Sequence, residues 1–166
     1  MWLYNSAGVA NGNSDNSLAS FYFGGFGNNY VDDGDVKRYR EYDSFPGFEI
    51  DALAGRDFGK SVLELNLPPL RFEEIGSPGF FLDWARPAIF VGALTARPAD
   101  GSGRRTVYNA GTQVDLRFTV MSRLNMTLSF GYAAGFEDGR KLDEEWMLVA
   151  QDPLARAPFI LPTNVA

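Results

Sequence analysis

The chain has 166 residues, of which 15 are basic and 21 acidic, for a net charge of −6. It contains no cysteine and no histidine, which excludes disulfides, thiolate and imidazole metal ligands, cysteine nucleophiles and a Ser-His-Asp triad within it. The acidic balance argues against nucleic acid as a partner, and the aromatic, turn-rich composition points to β structure rather than disorder.

The opening residues, Met1 to Ser6, lack a basic segment followed by an apolar one, so no signal peptide is expected there. Trp2 to Val9 is aromatic and β-prone and reads as a first strand. A long segment follows, residues 11–57, rich in Gly, Asn, Asp and Tyr and without clear periodicity. A loop of that length is usually functional or disordered. Inside it, Gly24-Gly25-Phe26-Gly27 is followed by neither Lys-Ser/Thr nor a helix. It reads as backbone needing positive φ at a strand end rather than as a phosphate cradle. Asp32, Asp33 and Asp35 could offer oxygen ligands to calcium, but the EF-hand spacing and its twelfth-position Glu are missing. A solvated acidic loop with no metal is expected.

Three later segments alternate with period two. In Ser61 to Leu67, Leu63, Leu65 and Leu67 share one face and Val62, Glu64 and Asn66 the other. A turn region runs from Pro68 to Gly79. Phe80 to Pro87 then leads into Ala88 to Thr95, a long strand whose internal proline suggests a bulge or an edge. The stretch Arg97 to Arg105 is polar. Gln113 to Val120 sets Val114, Leu116, Phe118 and Val120 against Gln113, Asp115, Arg117 and Thr119. Ser122-Arg123 leaves room only for a tight hairpin. Leu124 to Tyr132 sets Leu124, Met126, Leu128, Phe130 and Tyr132 against Asn125, Thr127, Ser129 and Gly131. Glu137 to Asp143 reads as a polar loop, Glu145 to Val149 as a short last strand, and residues 151–166 as a tail outside the sheet. That makes about six antiparallel up-and-down strands, with hydrophilic loops at one end and compact turns at the other. No run of 18 apolar residues is present for a transmembrane helix.

Strict alternation means one apolar face and one wet face. A soluble sandwich or small barrel that binds an apolar ligand or a protein partner shows the same pattern. A membrane barrel is the other reading. The apolar rows run about ten residues, the span of a tilted membrane strand. Aromatics such as Tyr108, Tyr132, Phe136 and Trp146 stand near their ends.

Phe21-Tyr22-Phe23-Gly24-Gly25, an Arg/Tyr-rich stretch and Ser44-Phe45-Pro46-Gly47-Phe48, followed by strands at residues 60–67, 80–86, 107–121, 124–136 and 145–149, resemble the C-terminal part of the outer-membrane assembly barrels. These form the BamA/TamA-type bacterial surface-antigen superfamily. In that family an aromatic-x-x-Gly-Gly strand end precedes a loop carrying V-R-G-F/Y. Here Phe45-Pro46-Gly47-Phe48 stands in that place, with Arg38 or Arg40 as the cation. The resemblance implies an all-β transmembrane barrel of which residues 1–150 form about six C-terminal strands. It implies the bacterial outer membrane as location, and membrane-protein assembly or polypeptide translocation as the work. It implies lipid, the remaining strands or a partner chain, and substrate polypeptides as partners. It implies a lock between the long loop and the wall, involving Arg38, Arg40, Phe45, Gly47, Asp83 and Arg86.

Glu64, Asp115 and Arg117 share the polar side of the strands. Paired carboxylates could do acid/base work, but an ion network on an inner wall is the simpler expectation. Neither an enzyme nor a cofactor is expected.

Overall fold

The computed structural model describes residues 1–11, 20–26, 38–72, 75–97, 103–121, 123–151 and 159–160. The acidic stretch Asp32, Asp33 and Asp35 lies outside them. The chain is all-β and antiparallel. Its strands are β1 (Trp2–Val9), β2 (Phe21–Phe23), β3 (Leu53–Gly55), β4 (Asp57–Asn66), β5 (Leu70–Arg71), β6 (Gly76–Ser77), β7 (Phe80–Arg97), β8 (Arg105–Val120), β9 (Leu124–Glu137), β10 (Arg140–Gln151) and β11 (Phe159–Ile160). One 3-10 turn spans Arg38–Arg40. A nine-stranded sheet runs in the order β1-β4-β7-β8-β9-β10-β11, with β5 and β6 also pairing β7. Each long strand neighbours the next in sequence, so the topology is up-and-down. Among the described residues the sheet is open, with β1 at one edge and β10 and β11 at the other. No helix among them is long and apolar enough to cross a membrane.

The alternating segments become strands because period two matches the pleat. Directly opposed residues share a face, so the register sets two continuous surfaces. One carries Leu63, Val91, Ala110 and Ala134; the other carries Glu64, Phe90, Gly111 and Ala133. Pro87 sits within the long strand without breaking it. Its carbonyl accepts from the Leu67 amide at 3.0 Å, just past the end of β4. A residue's N and O point to the same edge of a strand, so the missing donor falls where that pairing runs out, and the ladder to β8 is intact. The bulge lies earlier, between Leu82 and Trp84.

Two expectations about the connections are corrected. Glu137 to Asp143 is no loop: Glu137 pairs with Arg140 across Asp138-Gly139, whose φ values of 48° and 75° make a two-residue hairpin. Asp-Gly suits both left-handed positions, so β10 begins at Arg140, well before the short strand expected at Glu145. A tight turn therefore stands at the same end of the sheet as Val9, Asp57, Arg97 and Arg105, where longer connections leave it, and loops and turns are not cleanly sorted between the ends. In the tail, Phe159 and Ile160 pair with Ala150 and Val149 instead of leaving the sheet.

Candidate functional site: a loop seated on the polar face

Two segments of the long loop, residues 20–26 and 38–52, fold back over the face bearing Glu64. Phe21–Phe23 pairs with Leu53–Gly55. The Gly25 amide donates to Phe48 O at 2.9 Å, the Phe45 amide to Gly25 O at 3.0 Å and the Gly24 amide to Asp43 O at 3.2 Å. Thus the aromatic-Gly-Gly end and the Ser-Phe-Pro-Gly-Phe segment lie side by side. The Gly24-Gly25 amides are spent on that pairing, which leaves no phosphate cradle. Gly25 has φ +71°, the backbone freedom expected of it.

The loop packs its aromatics against the apolar residues of the covered face. Phe23, Phe45, Phe48 and Leu53 pack with Phe58, Leu94 and Val107. Phe26 and Tyr39 pack with Val62, Phe90 and Ala133. Tyr39 stacks on Phe90 with centroids 4.2 Å apart. Gly47, at φ +90°, presses on the backbone of β9, where an added Cβ would come within 2.6 Å of Ala134 C and Gly135 N. Gly135 answers it, since a Cβ there would collide with Gly47 O. Only glycine at both positions allows two backbones to approach so closely.

Polar latches hold this body to the wall. Arg40 grips Glu64 bidentately, Nε to Oε2 at 2.8 Å and Nη2 to Oε1 at 2.5 Å, and Glu64 is 0% exposed. The hydrogen bonds to Glu64 raise the Arg40 pKa further, so the guanidinium stays charged. Burial first, and the Glu64 charge second, push the Tyr39 phenol up, so it stays protonated. The buried Lys60 ammonium donates to the carbonyls of Glu41, Tyr42 and Ser44. On β8, Asn109 Nδ2 donates to Pro46 O at 2.8 Å. On β10, Glu145 accepts from the Phe26 and Gly47 amides at 3.1 and 3.2 Å. One loop therefore bonds to β4, β8 and β10 at once.

Of the expected lock, Arg40, Phe45 and Gly47 are brought together. The partner of Arg40 is Glu64, however, and neither Asp83 nor Arg86. The register explains this. Glu64 lies opposite Phe90, well along β7 from the bulge that holds Asp83. Asp83 accepts from Thr119 Oγ1 at 3.0 Å. Arg86 reaches Asp115 at 3.4 Å, and Asp115 also accepts from Gln113 and Ser129 at 2.7 and 2.8 Å. Arg117 sits between Trp84 and Thr127. Arg38 opens the 3-10 turn; its side chain is not among those described. Glu64 and Asp115 are thus each tied to a guanidinium, as a network would have it.

The sequence pattern does not single out Lys60, Asn109 or Glu145. A signal does exist: Lys60 and Glu64 are four residues apart on one strand face, and Glu145 falls on the face opposite Trp146 and Leu148.

The other face of the sheet is bare and apolar. Leu65 is 45% and Val91 46% exposed, while Glu64 and Gln113, on the covered face, are fully buried. Along β8 from Thr106 to Val120, and along β9 from Leu124 to Phe136, the outward rows contain no charged residue. Tyr108, Tyr132, Phe136 and Trp146 mark one end of these rows, with Tyr132 and Trp146 rings 4.5 Å apart. Phe80 and Phe118, 5.2 Å apart, mark the other.

Compared with known proteins, the chain matches no family model, no curated protein and no solved structure.

Proposed function

We propose that this chain is a segment of an outer-membrane β-barrel, with lipid against the bare face and the loop inside the lumen. The observation that carries the reading is the bare apolar face: Leu63, Leu65, Ile89, Val91 and Phe130 are outward and exposed, while Lys60, Glu64, Gln113 and Asp115 are buried on the other face beside its aromatic core. In water, leaving that much contiguous apolar surface bare is unfavourable. In hydrocarbon it is the favourable arrangement. The spacing of the aromatics also supports it. Tyr108 and Phe118 are ten residues apart on β8, about 33 Å along the strand. At a tilt of about 40° that is about 25 Å of height, the thickness of an outer-membrane apolar band.

An open edge in lipid leaves backbone groups unpaired at several kcal/mol each. The edges at β1 and β10 therefore call for further strands or a partner chain. By its resemblance to the assembly barrels, the work is membrane-protein insertion or polypeptide translocation, with the loop bracing the wall from within. The role proposed is a structural one, without catalysis.

The test is folding in buffer against folding in detergent micelles or vesicles. The chain is expected to gain cooperative β structure, and a migration on detergent gels that shifts on boiling, only with an amphiphile present. A monomer that folds cooperatively in buffer alone would overturn the reading in favour of a soluble sheet protein with an apolar ligand. The absence of cysteine permits a second check. Single cysteines placed along residues 124–130 and labelled with a fluorophore should be quenched by lipid-borne quenchers with period two, more strongly at Leu124, Met126, Leu128 and Phe130 than at the residues between them.

A further inference from the structure

We propose that the covered face, at the end away from the loop, holds a binding site for an oxyanion, a carboxylate or phosphate group, built from Arg71, Arg86 and Arg117 around Trp84. The register assembles it. Arg71 pairs with Trp84 and Trp84 with Arg117, so the three occupy one row on one face. Arg86 stands in the next row, its guanidinium carbon 5.2 Å from the Trp84 ring centroid. Three arginines from β5, β7 and β8 therefore surround one indole.

Their counter-charge is incomplete. Among the described residues Asp115 is the one carboxylate in ion-pair contact with the cluster, through Arg86 at 3.4 Å. That carboxylate is already shared with Gln113 and Ser129. Asp83 is engaged by Thr119. Arg86 Nε is buried with no hydrogen-bond partner. A buried unpaired donor is unfavourable, and an oxyanion engaging the guanidinium, whose side chain is 41% exposed, would bring acceptors to it. Guanidinium forks fit the two oxygens of a carboxylate or phosphate, and the indole holds Arg86 in place by cation–π attraction. The described parts of the loop make their contacts at the other end of the face, so among the described residues the site is open to a ligand.

The site stands independently of the membrane reading, because it is tested on the folded chain in whichever medium supports folding. Trp2→Phe/Trp146→Phe leaves Trp84 as the single indole reporter; Trp2 and Trp146 are both exposed. Sodium phosphate and sodium acetate are titrated at constant ionic strength against sodium chloride. A saturable change in Trp84 emission is expected with one or both, and which salt gives it distinguishes phosphate from carboxylate. Arg117→Gln, added to this background, is expected to weaken binding by about tenfold or more, with the fold checked by circular dichroism. Arg97→Gln, at the other end of β7, is expected to leave it unchanged. No saturable change, or equal binding by Arg117→Gln, overturns the proposal.

Discussion

Two Arg–Glu pairs in this molecule have almost the same geometry and similarly exposed guanidiniums, and differ in the burial of their carboxylates. Arg40 and Glu64 meet bidentately beneath the seated loop, where Glu64 is fully buried. Arg105 and Glu137 meet bidentately at 2.6 and 2.8 Å on the rim of the sheet, where both reach solvent. The contact is equally good in both. What differs is the penalty for breaking it. Water replaces a lost partner of Glu137 at the rim, whereas the Glu64 carboxylate is sealed from it. The comparison shows where the sheet depends on its loop: at the few charges that the loop itself has cut off from solvent.

Breaking the buried pair should give the largest effect. Arg40→Ala is expected to cost about 3–5 kcal/mol, read by urea unfolding in micelles, because Glu64 is left buried without its cation. Arg40→Lys should recover only part of this, since an ammonium cannot grip both oxygens. The bare face comes next. Leu128→Arg is expected to cost about 2–4 kcal/mol in vesicles, measured as the shift in the unfolding midpoint with denaturant. An unchanged midpoint would contradict lipid at that position. Glu145→Gln keeps an acceptor oxygen and removes the charge that strengthens the bonds from Phe26 and Gly47. A loss of about 1–2 kcal/mol is expected, together with faster hydrogen exchange at those two amides. Last, a double-mutant cycle on Arg105 and Glu137 should give a coupling of no more than about 1 kcal/mol, shrinking as salt is raised. A coupling as large as that of Arg40 and Glu64 would remove burial as the explanation of their difference.

The strands are legible in the sequence to different degrees, for identifiable reasons. Trp2 to Val9 and Leu124 to Phe136 match β1 and β9 almost residue for residue, the first because its residues are β-prone and the second because alternation from Leu124 to Tyr132 is uninterrupted. The pattern makes β10 too short. Arg140, Lys141, Asp143 and Glu144 hide a strand that projects past the apolar rows, and Asp138-Gly139, the strongest local hairpin signal available, sits among residues polar enough to pass for a loop. Pro87 suggests an edge, yet it lies inside a sheet, where its missing donor forgoes only the reciprocal bond to Leu67 at the end of the β4 pairing. In the loop, Arg40, Phe45 and Gly47 are identifiable by their resemblance to a motif. Glu64 as the receiver of Arg40 is not, because that match depends on how far along β4 the loop comes to rest.

Period-two patterning alone determined that this chain makes strands with one greasy and one polar face, since neighbouring side chains in an extended backbone must point oppositely. Which face is covered was decided only in three dimensions. The two faces pair equally well within the sheet, and local sequence does not distinguish lipid from a packed core. The choice follows from contacts between residues far apart in the chain. The loop's aromatics, its glycine pressed on β9 and its bonds to Glu64, Lys60 and Glu145 enclose the polar side and leave the apolar side bare.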